Sequence, residues 1–564
     1  MSFHHYTYQR PNMEQFSTKI DELLALFERE RSIEELSRII SRINALKSNF
    51  TTMYNIAYIR HTTNTTDKFY EEENAFFDIA VPQYDAINNR FYKHLIKHPK
   101  RQQLEEKFGS QLFRLAAQNL KTFSEEILED LEEENKLSSK YIKLKATAKI
   151  DIEGKNYNLS SIYALEVDKN RAVRKKAVEK KWTFYEKNQK EIDDIFDQLV
   201  KIRHQIAQKL GYENFIELGY ARMNRTDYNE EMVKVFRQEV LEHIVPIANT
   251  LYKRQAKRLN LDDLYYYDEN FQFPSGNAKP LGSPEQIIEM ASKMYHELSR
   301  ETATFFDFMI ENDLMNLLAK DGKATGGYCT FIEDYKAPFI FSNFNGTSAD
   351  IDVLTHEAGH AFQVFSSRDS EVLEYNWPTY EACEIHSMSM EYFAWPWMEL
   401  FFGEQADKYR YAHMVSSLLF LPYGVAIDEF QHFIYKNPYI CAEDRHEAWR
   451  QIEQKYLPHK KYADNNFLTM GGYWHKQSHI FVTPFYYIDY ALASVGAFQF
   501  WKKDRASHEC AWADYLRLCQ AGGSRSFLEL ISLANLESPF QKGMLQTIVK
   551  EIEEWLLSID DAKF

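Results

Sequence analysis

Residues 351–363 read Ile351-Asp352-Val353-Leu354-Thr355-His356-Glu357-Ala358-Gly359-His360-Ala361-Phe362-Gln363. Their apolar positions predict a helix, and on a helix residues four apart lie on one face. His356 and His360 can therefore aim their imidazoles at a single point roughly 2 Å from each nitrogen, a spacing that suits a zinc ion. Glu357 sits one step round the helix, close enough to act as a general base without being a ligand. In a chain with 18 histidines among 564 residues, such a run arises by chance on the order of a few per cent of the time, and it could be no more than a solvated face. Its neighbours Val353, Leu354, Ala358, Ala361, Phe362, Val364 and Phe365 argue against that, because unpaired polar groups are costly in apolar surroundings.

Hydrolytic zinc sites take three protein ligands, so a third must come from elsewhere. The stretch Thr379-Tyr-Glu-Ala-Cys-Glu-Ile-His-Ser-Met-Ser-Met-Glu391 reads as a second helix carrying Glu381, Glu384 and Glu391 near one face. Glu384 is the expected third ligand.

Length and composition place this pair of helices in a large folded body. At 564 residues the chain exceeds one ordinary core. Aromatics make up 15% of it, with 36 Tyr and 40 Phe, enough to line a peptide-binding cavity as well as fill a core. A net charge of −16 argues against a nucleic-acid partner, which requires a basic face. The five cysteines, Cys329, Cys383, Cys441, Cys510 and Cys519, form no close pairs and suggest a reducing compartment. The first residues show no basic-then-apolar leader, and no apolar run approaches the length of a membrane span. The expectation is a cytoplasmic protein with no membrane partner and no sequence signature of an oligomeric state.

Outward from the motif, helical periodicity dominates. Phe16 to Phe27 and Leu36 to Ile43 suggest two helices of a hairpin broken near Arg31-Ser32, and the pattern continues over 66–107 and 109–139. The acidic run Glu125–Glu134 reads as a solvated helix face, as does the basic patch after Asp168. Alternation from Tyr141 to Leu159 around Glu153-Gly154 predicts a β-hairpin. A soft boundary near 190 divides an N-terminal helical domain, residues 1–190 with its hairpin near 141–159, from a catalytic domain, 191–564. Ser283-Pro-Glu-Gln286 is a capping box with proline at the first helical position. Thr325–Phe331 and Ala337–Phe344 are β-type segments forming a small sheet beside the metal helix. A free edge there can hold an extended peptide by main-chain hydrogen bonds. Gly326, Gly327 and Tyr328 would border that groove, unless the glycines serve only a turn.

A last cluster runs from Gly471-Gly-Tyr-Trp-His475 through His479 to Tyr486, Tyr487 and Tyr490. His475 and His479 are also four apart but enclose no Glu, so a second metal site is not expected. Phenols and imidazoles here could stabilise a developing oxyanion, although by composition alone packed core aromatics are the default reading.

With His356-Glu-Ala-Gly-His360, Glu384, Glu391 and this Tyr-rich segment in place, the chain closely resembles the oligoendopeptidase F branch of the thimet-oligopeptidase family over most of its length. Glu384 follows His360 by 24 positions and Glu391 follows Glu384 by 7, close to the family's spacing. The resemblance implies a mainly α fold, with two helical lobes around a deep substrate channel and a small sheet beside the metal helix. It implies one Zn2+ per chain held by His356, His360 and Glu384, with Glu357 as general base. Glu381 and Glu391 match carboxylates behind the ligands, and His479, Tyr487 and Tyr490 match residues that bind the substrate carbonyl and oxyanion. The His-to-Tyr spacing is about one residue shorter than in the thimet relatives, so Tyr486 can exchange roles with Tyr487. The expected activity is endopeptidase cleavage of oligopeptides. Two alternatives are a zinc carboxypeptidase, which needs a cation for the substrate's terminal carboxylate although no Arg or Lys in the sequence declares that role, and a non-catalytic peptide-binding protein on the same scaffold, against which the intact Glu357 argues.

Overall fold

The computed structural model describes residues 1–320 and 322–564. Its first two helices start at side-chain caps: Asn12 accepts from the Gln15 amide ahead of Met13–Arg29, and Ser32 accepts from the Glu35 amide ahead of Ile33–Thr63. Such caps satisfy amides that have no partner within the helix. The second helix outruns the expected hairpin because its apolar face continues through Phe50, Met53 and Ile56. With Lys68–Lys97 and Ser110–Thr122, these helices bury Phe16, Phe27, Ile40, Phe77, Phe91 and Leu112 in a cluster of their own. Val372 and Tyr375, from the loop that follows the motif helix, complete it. The Tyr375 hydroxyl donates to the Phe108 carbonyl at 2.8 Å, and Lys47 pairs with Glu374 at 2.6 Å. The N-terminal lobe is thereby fastened next to the helix that carries the His356–His360 motif.

Residues 141–159 differ from expectation. The helix Leu128–Ala146 takes in Tyr141–Ala146, and only β1 (Ile150–Ile152) and β2 (Lys155–Tyr157) form the hairpin. Tyr141 is buried, stacks on Phe481 at 3.7 Å and donates to the His475 carbonyl. Tertiary packing therefore overrides an alternating pattern that is only a weak strand signal. The acidic run is not fully solvated either: buried Glu134 meets Arg203 at 2.6 Å and Arg222 at 2.9 Å, and Asp130 meets Lys209 at 2.5 Å. In the basic patch Arg174 is buried against Asp268 at 3.0 Å. Ile127, Leu137, Tyr141 and Trp182 belong to the large core rather than to the N-terminal cluster, so that core extends across residue 190.

The large core is built on four helices, Ala349–Ser367, Tyr380–Phe393, Ala406–Lys436 and Tyr487–Ala506. The first two pack so closely that a Cβ on Gly359 would lie 2.7 Å from the His386 carbonyl oxygen and from the Ser387 Cα. Only a residue without a side chain fits between two backbones at that range. Against the sheet side, β3 (Met315–Leu318), β4 (Tyr328–Ile332) and β5 (Ala337–Phe344) form a sheet in the order β3-β5-β4. β3, which joins β5 in parallel, was not anticipated; β4 pairs with β5 antiparallel. β4 is thus an edge strand. The two lobes face a channel that includes a cavity of about 670 Å³, and no helix among the described residues is long and apolar enough to cross a membrane.

Candidate active site

The motif helix Ala349–Ser367 and the glutamate helix Tyr380–Phe393 deliver His356, His360 and Glu384 to one spot. Glu384 Oε2 lies 3.2 Å from His356 Nε2 and 3.6 Å from His360 Nε2, and the three donor atoms fall within 4.8 Å of one another. On its other nitrogen, His356 Nδ1 donates to Glu391 Oε1 at 2.7 Å. With Nδ1 so engaged, Nε2 is left to present its lone pair toward the centre. Two imidazole nitrogens and a carboxylate oxygen form a donor set that fits a divalent cation such as zinc. Burial alone would lower the His356 pKa, but the carboxylates of Glu384 and Glu391 hold it well above the usual imidazole range, so a cation entering the site would displace the Nε2 proton to reach that lone pair. The same arrangement holds Glu384 well below the carboxylate range despite its burial.

Glu391 is itself braced by His413, whose Nε2 donates to Oε2 at 2.6 Å from the long helix Ala406–Lys436. Ser387 Oγ donates to Glu384 Oε2 at 3.0 Å, and the Tyr486 hydroxyl donates to Glu384 Oε1 at 2.7 Å. His413 and Ser387 carried no sequence signal, since each gains its place only through packing. Glu381 stands apart from the imidazoles. Its Oε1 accepts from Thr379 Oγ1 at 3.0 Å, while burial and the nearby Asp489 raise its pKa. Asp489 pairs with Arg225 at 2.6 Å, so Glu381 belongs to a buried cluster behind the helix.

Glu357 faces the cavity together with His356, His360, Glu384, Tyr486 and Tyr490. Burial raises its pKa, which makes its carboxylate a better proton acceptor. Gly327, Tyr328, Cys329 and Thr330 form the opposite wall. A Cβ on Gly327 would sit 3.5 Å from Glu357 Oε1 and 3.2 Å from Val353 Cγ1, so the edge strand runs directly past the base. Gly326 lies just beyond the wall in a left-handed turn with φ +96. The Phe331 carbonyl on the free edge of β4 is taken by Asn55 at 2.7 Å. Because edge direction alternates along an antiparallel strand, the amide and carbonyl of Cys329 point the same way.

Tyr487 is turned from this wall. Its ring packs on Phe420 and Tyr423 at 5.5 and 5.7 Å, and it does not line the cavity. His479 rests against Tyr486, Tyr487 and Tyr490. Burial, then the Lys145 charge, lower its pKa to about 4, so it is neutral at pH 7. Tyr423 donates to Gln477 Oε1 at 2.9 Å, which turns Gln477 Nε2 toward His479 Nδ1 at 2.7 Å. Nδ1 then accepts, and Nε2 carries the proton.

A second trio, Asp193, His446 and His475, also brings three donors together. His475 Nε2 lies 2.8 Å and His446 Nε2 3.1 Å from Asp193, but all three side chains are buried and lie off the cavity, and both Nδ1 atoms lack a partner. Metal-bound histidines almost always have that second nitrogen engaged. This trio is a hydrogen-bonded anchor for the Gly471–Tyr486 segment.

Gly359 makes the geometry testable. Gly359→Ala places a methyl against backbone at 2.7 Å and must push the two ligand helices apart, at about 1–3 kcal/mol. The expected result is a lowered melting temperature together with reduced metal content at equal protein concentration.

This arrangement defines a peptidase, and comparison with known proteins places it. Residues 164–550 match the model of peptidase family M3, and residues 3–123 match the peptidase M3 N-terminal domain. The chain belongs to peptidase family M3. It is 21% identical to an oligoendopeptidase F homolog of Mycoplasma genitalium over 94% of this chain and 91% of that protein. To the chromosomal oligoendopeptidase F of Lactococcus lactis subsp. cremoris it is 24% identical, over 44% of this chain and 40% of that one. Among solved structures, PZ peptidase A with an inhibitor superposes with a TM-score of 0.96 at 55% identity, covering 100% of both chains. An oligoendopeptidase F from Bacillus anthracis str. Ames gives 0.92 at 53%, covering 100% of this chain and 99% of that one.

Proposed function

We propose that the protein is a zinc-dependent endopeptidase that cleaves oligopeptides within the channel, with His356, His360 and Glu384 holding the ion and Glu357 acting as general base. The observation that carries this reading is the placement of Glu357 between the three-donor set and the free edge of β4, on one cavity wall. An extended peptide adds to that edge through the main chain of Cys329 and its neighbours, which gives affinity with little side-chain preference. A zinc ion, when bound, supplies a Lewis acid that polarises the scissile carbonyl and acidifies the attacking water. Glu357 takes the proton from that water and passes it to the leaving amine. Tyr490 and Tyr486 line the cavity beside the ligands and take the oxyanion-binding role, in place of Tyr487. His479 supports them as a neutral donor through Nε2. Glu391 and His413 hold His356 in the orientation that ligation needs. Five unpaired cysteines support a reducing, cytoplasmic setting. The clustering of residues between Phe16 and Ala116 supports an N-terminal helical lobe.

The test uses peptides blocked at both ends. The expected products come from internal cuts, and a chelator abolishes them; release of single C-terminal residues from unblocked peptides only would favour a carboxypeptidase. Failure of metal-replete protein to cut any member of a mixed peptide pool would favour a binding protein.

A further inference from the structure

The cavity that holds the proposed centre has Glu357, Glu374 and Glu384 among its lining residues. Glu374 is answered by Lys47 at 2.6 Å and by the Tyr92 hydroxyl at 2.8 Å. Glu384 is answered by the two imidazoles, Ser387 and Tyr486. Among the described lining residues Arg525 is the sole lysine or arginine. Its side chain is exposed, and it makes no ion pair within 4.0 Å with any described carboxylate. The acid in its own segment, Glu529, is already engaged by Arg114 at 3.0 Å and by the Ser526 amide at 3.0 Å.

The base of this arginine is fixed. The Gly523 amide donates to the Tyr375 carbonyl at 2.8 Å. A Cβ on Gly522 would lie 2.2 Å from the Tyr375 oxygen, and one on Gly523 would lie 2.2 Å from the Trp377 oxygen. The glycine pair is therefore laid flat on the segment that runs through Trp377, Pro378 and Thr379, all cavity-lining, into the glutamate helix. On its other side Arg525 abuts Ser526, the cap of Phe527–Leu533. A guanidinium on a fixed base, without an internal partner, beside a catalytic wall is arranged to meet an anion that arrives with the substrate.

We infer that Arg525 binds a carboxylate of the peptide substrate and so sets which bond crosses the catalytic centre. This rests on the peptidase reading above. A guanidinium grips a carboxylate through two parallel hydrogen bonds, and the backbone contacts of the glycine pair hold the main chain of Arg525 beside the cavity. The bond cut is then counted from the anchored carboxylate, which can be the peptide's own C-terminus or an Asp or Glu side chain.

Three peptides of one sequence separate these sources: a free acid, its C-terminal amide, and the amide with a single Asp moved stepwise along the C-terminal half. For Arg525→Gln, KM is expected to rise about 10-fold with kcat little changed, for the free acid if the terminus is the anchor or for one Asp-bearing amide if a side chain is. Arg525→Lys should restore part of the loss. The plain amide should be cut equally by wild type and variant, which shows that the peptidase itself is intact. An equal loss on all three peptides, or no loss on any, would overturn the proposal. Absence of cleavage by the wild type would instead strike at the peptidase reading.

Discussion

Glu357→Gln is expected to lower kcat/KM for oligopeptide cleavage by on the order of 10³-fold or more, while the protein keeps one metal ion per chain. The substitution preserves shape and removes the one group on this wall placed to accept a proton without ligating. His356, His360 and Glu384 are untouched, and their hydrogen bonds to Glu391, Ser387 and Tyr486 do not involve Glu357. The loss should fall on kcat rather than on KM, because the β4 edge and the cavity proposed to bind the peptide remain. Metal content by atomic absorption and steady-state kinetics on an internally quenched peptide read the two halves separately. Substantial activity in a metal-replete variant would refute the assignment of Glu357 as the base.

The helical character of the chain and the convergence of the two key helices were legible because both rest on short-range spacing. His356 and His360 share a face by helical period alone, and Glu384 follows from the periodicity of the next helix. What spacing could not carry is the identity of partners from distant elements. His413 reaches Glu391 from a separate helix, and nothing local marks one histidine of eighteen. Glu381 and Glu391 look alike along the helix, yet one contacts Thr379 and the other His356. The Tyr486 and Tyr487 ambiguity has a specific backbone cause. Phe485 is held at φ +67, a left-handed conformation uncommon for a bulky side chain. Its amide donates to Gln431 Oε1 at 2.7 Å and its carbonyl accepts from Arg225 at 2.6 Å. That bend, one residue before the Tyr pair, directs Tyr486 onto Glu384, and no count of residues from His479 contains it. The segment 141–146 shows the same limit from the other side: an alternating pattern became helix once Tyr141 had Phe481 to stack on.

Glu384→Ala is expected to remove the metal and, with it, cleavage. Three consequences follow from one deletion. The only carboxylate in the donor set is lost, leaving two imidazoles, and two-ligand sites hold zinc poorly against the three that hydrolytic sites use. The Tyr486 hydroxyl loses its acceptor, at about 1–3 kcal/mol if it is left unpaired, while Ser387 Oγ keeps the residue 384 carbonyl at 3.1 Å. His356 keeps only Glu391 of the two carboxylates that flank it. Glu391→Gln, by contrast, keeps all three ligands and weakens only the orientation of His356, for which a 10- to 100-fold loss of metal affinity is the typical range. The two variants should therefore separate in competition with a chelator of known affinity: Glu384→Ala without detectable bound zinc, Glu391→Gln with zinc that is held but more easily taken. The comparison also discriminates between the two donor trios. If the ion resided at Asp193, His446 and His475 instead, Glu384→Ala would retain it and His446→Ala would release it; because that trio lies off the cavity with both outer nitrogens unpartnered, His446→Ala is expected to keep its metal while losing stability.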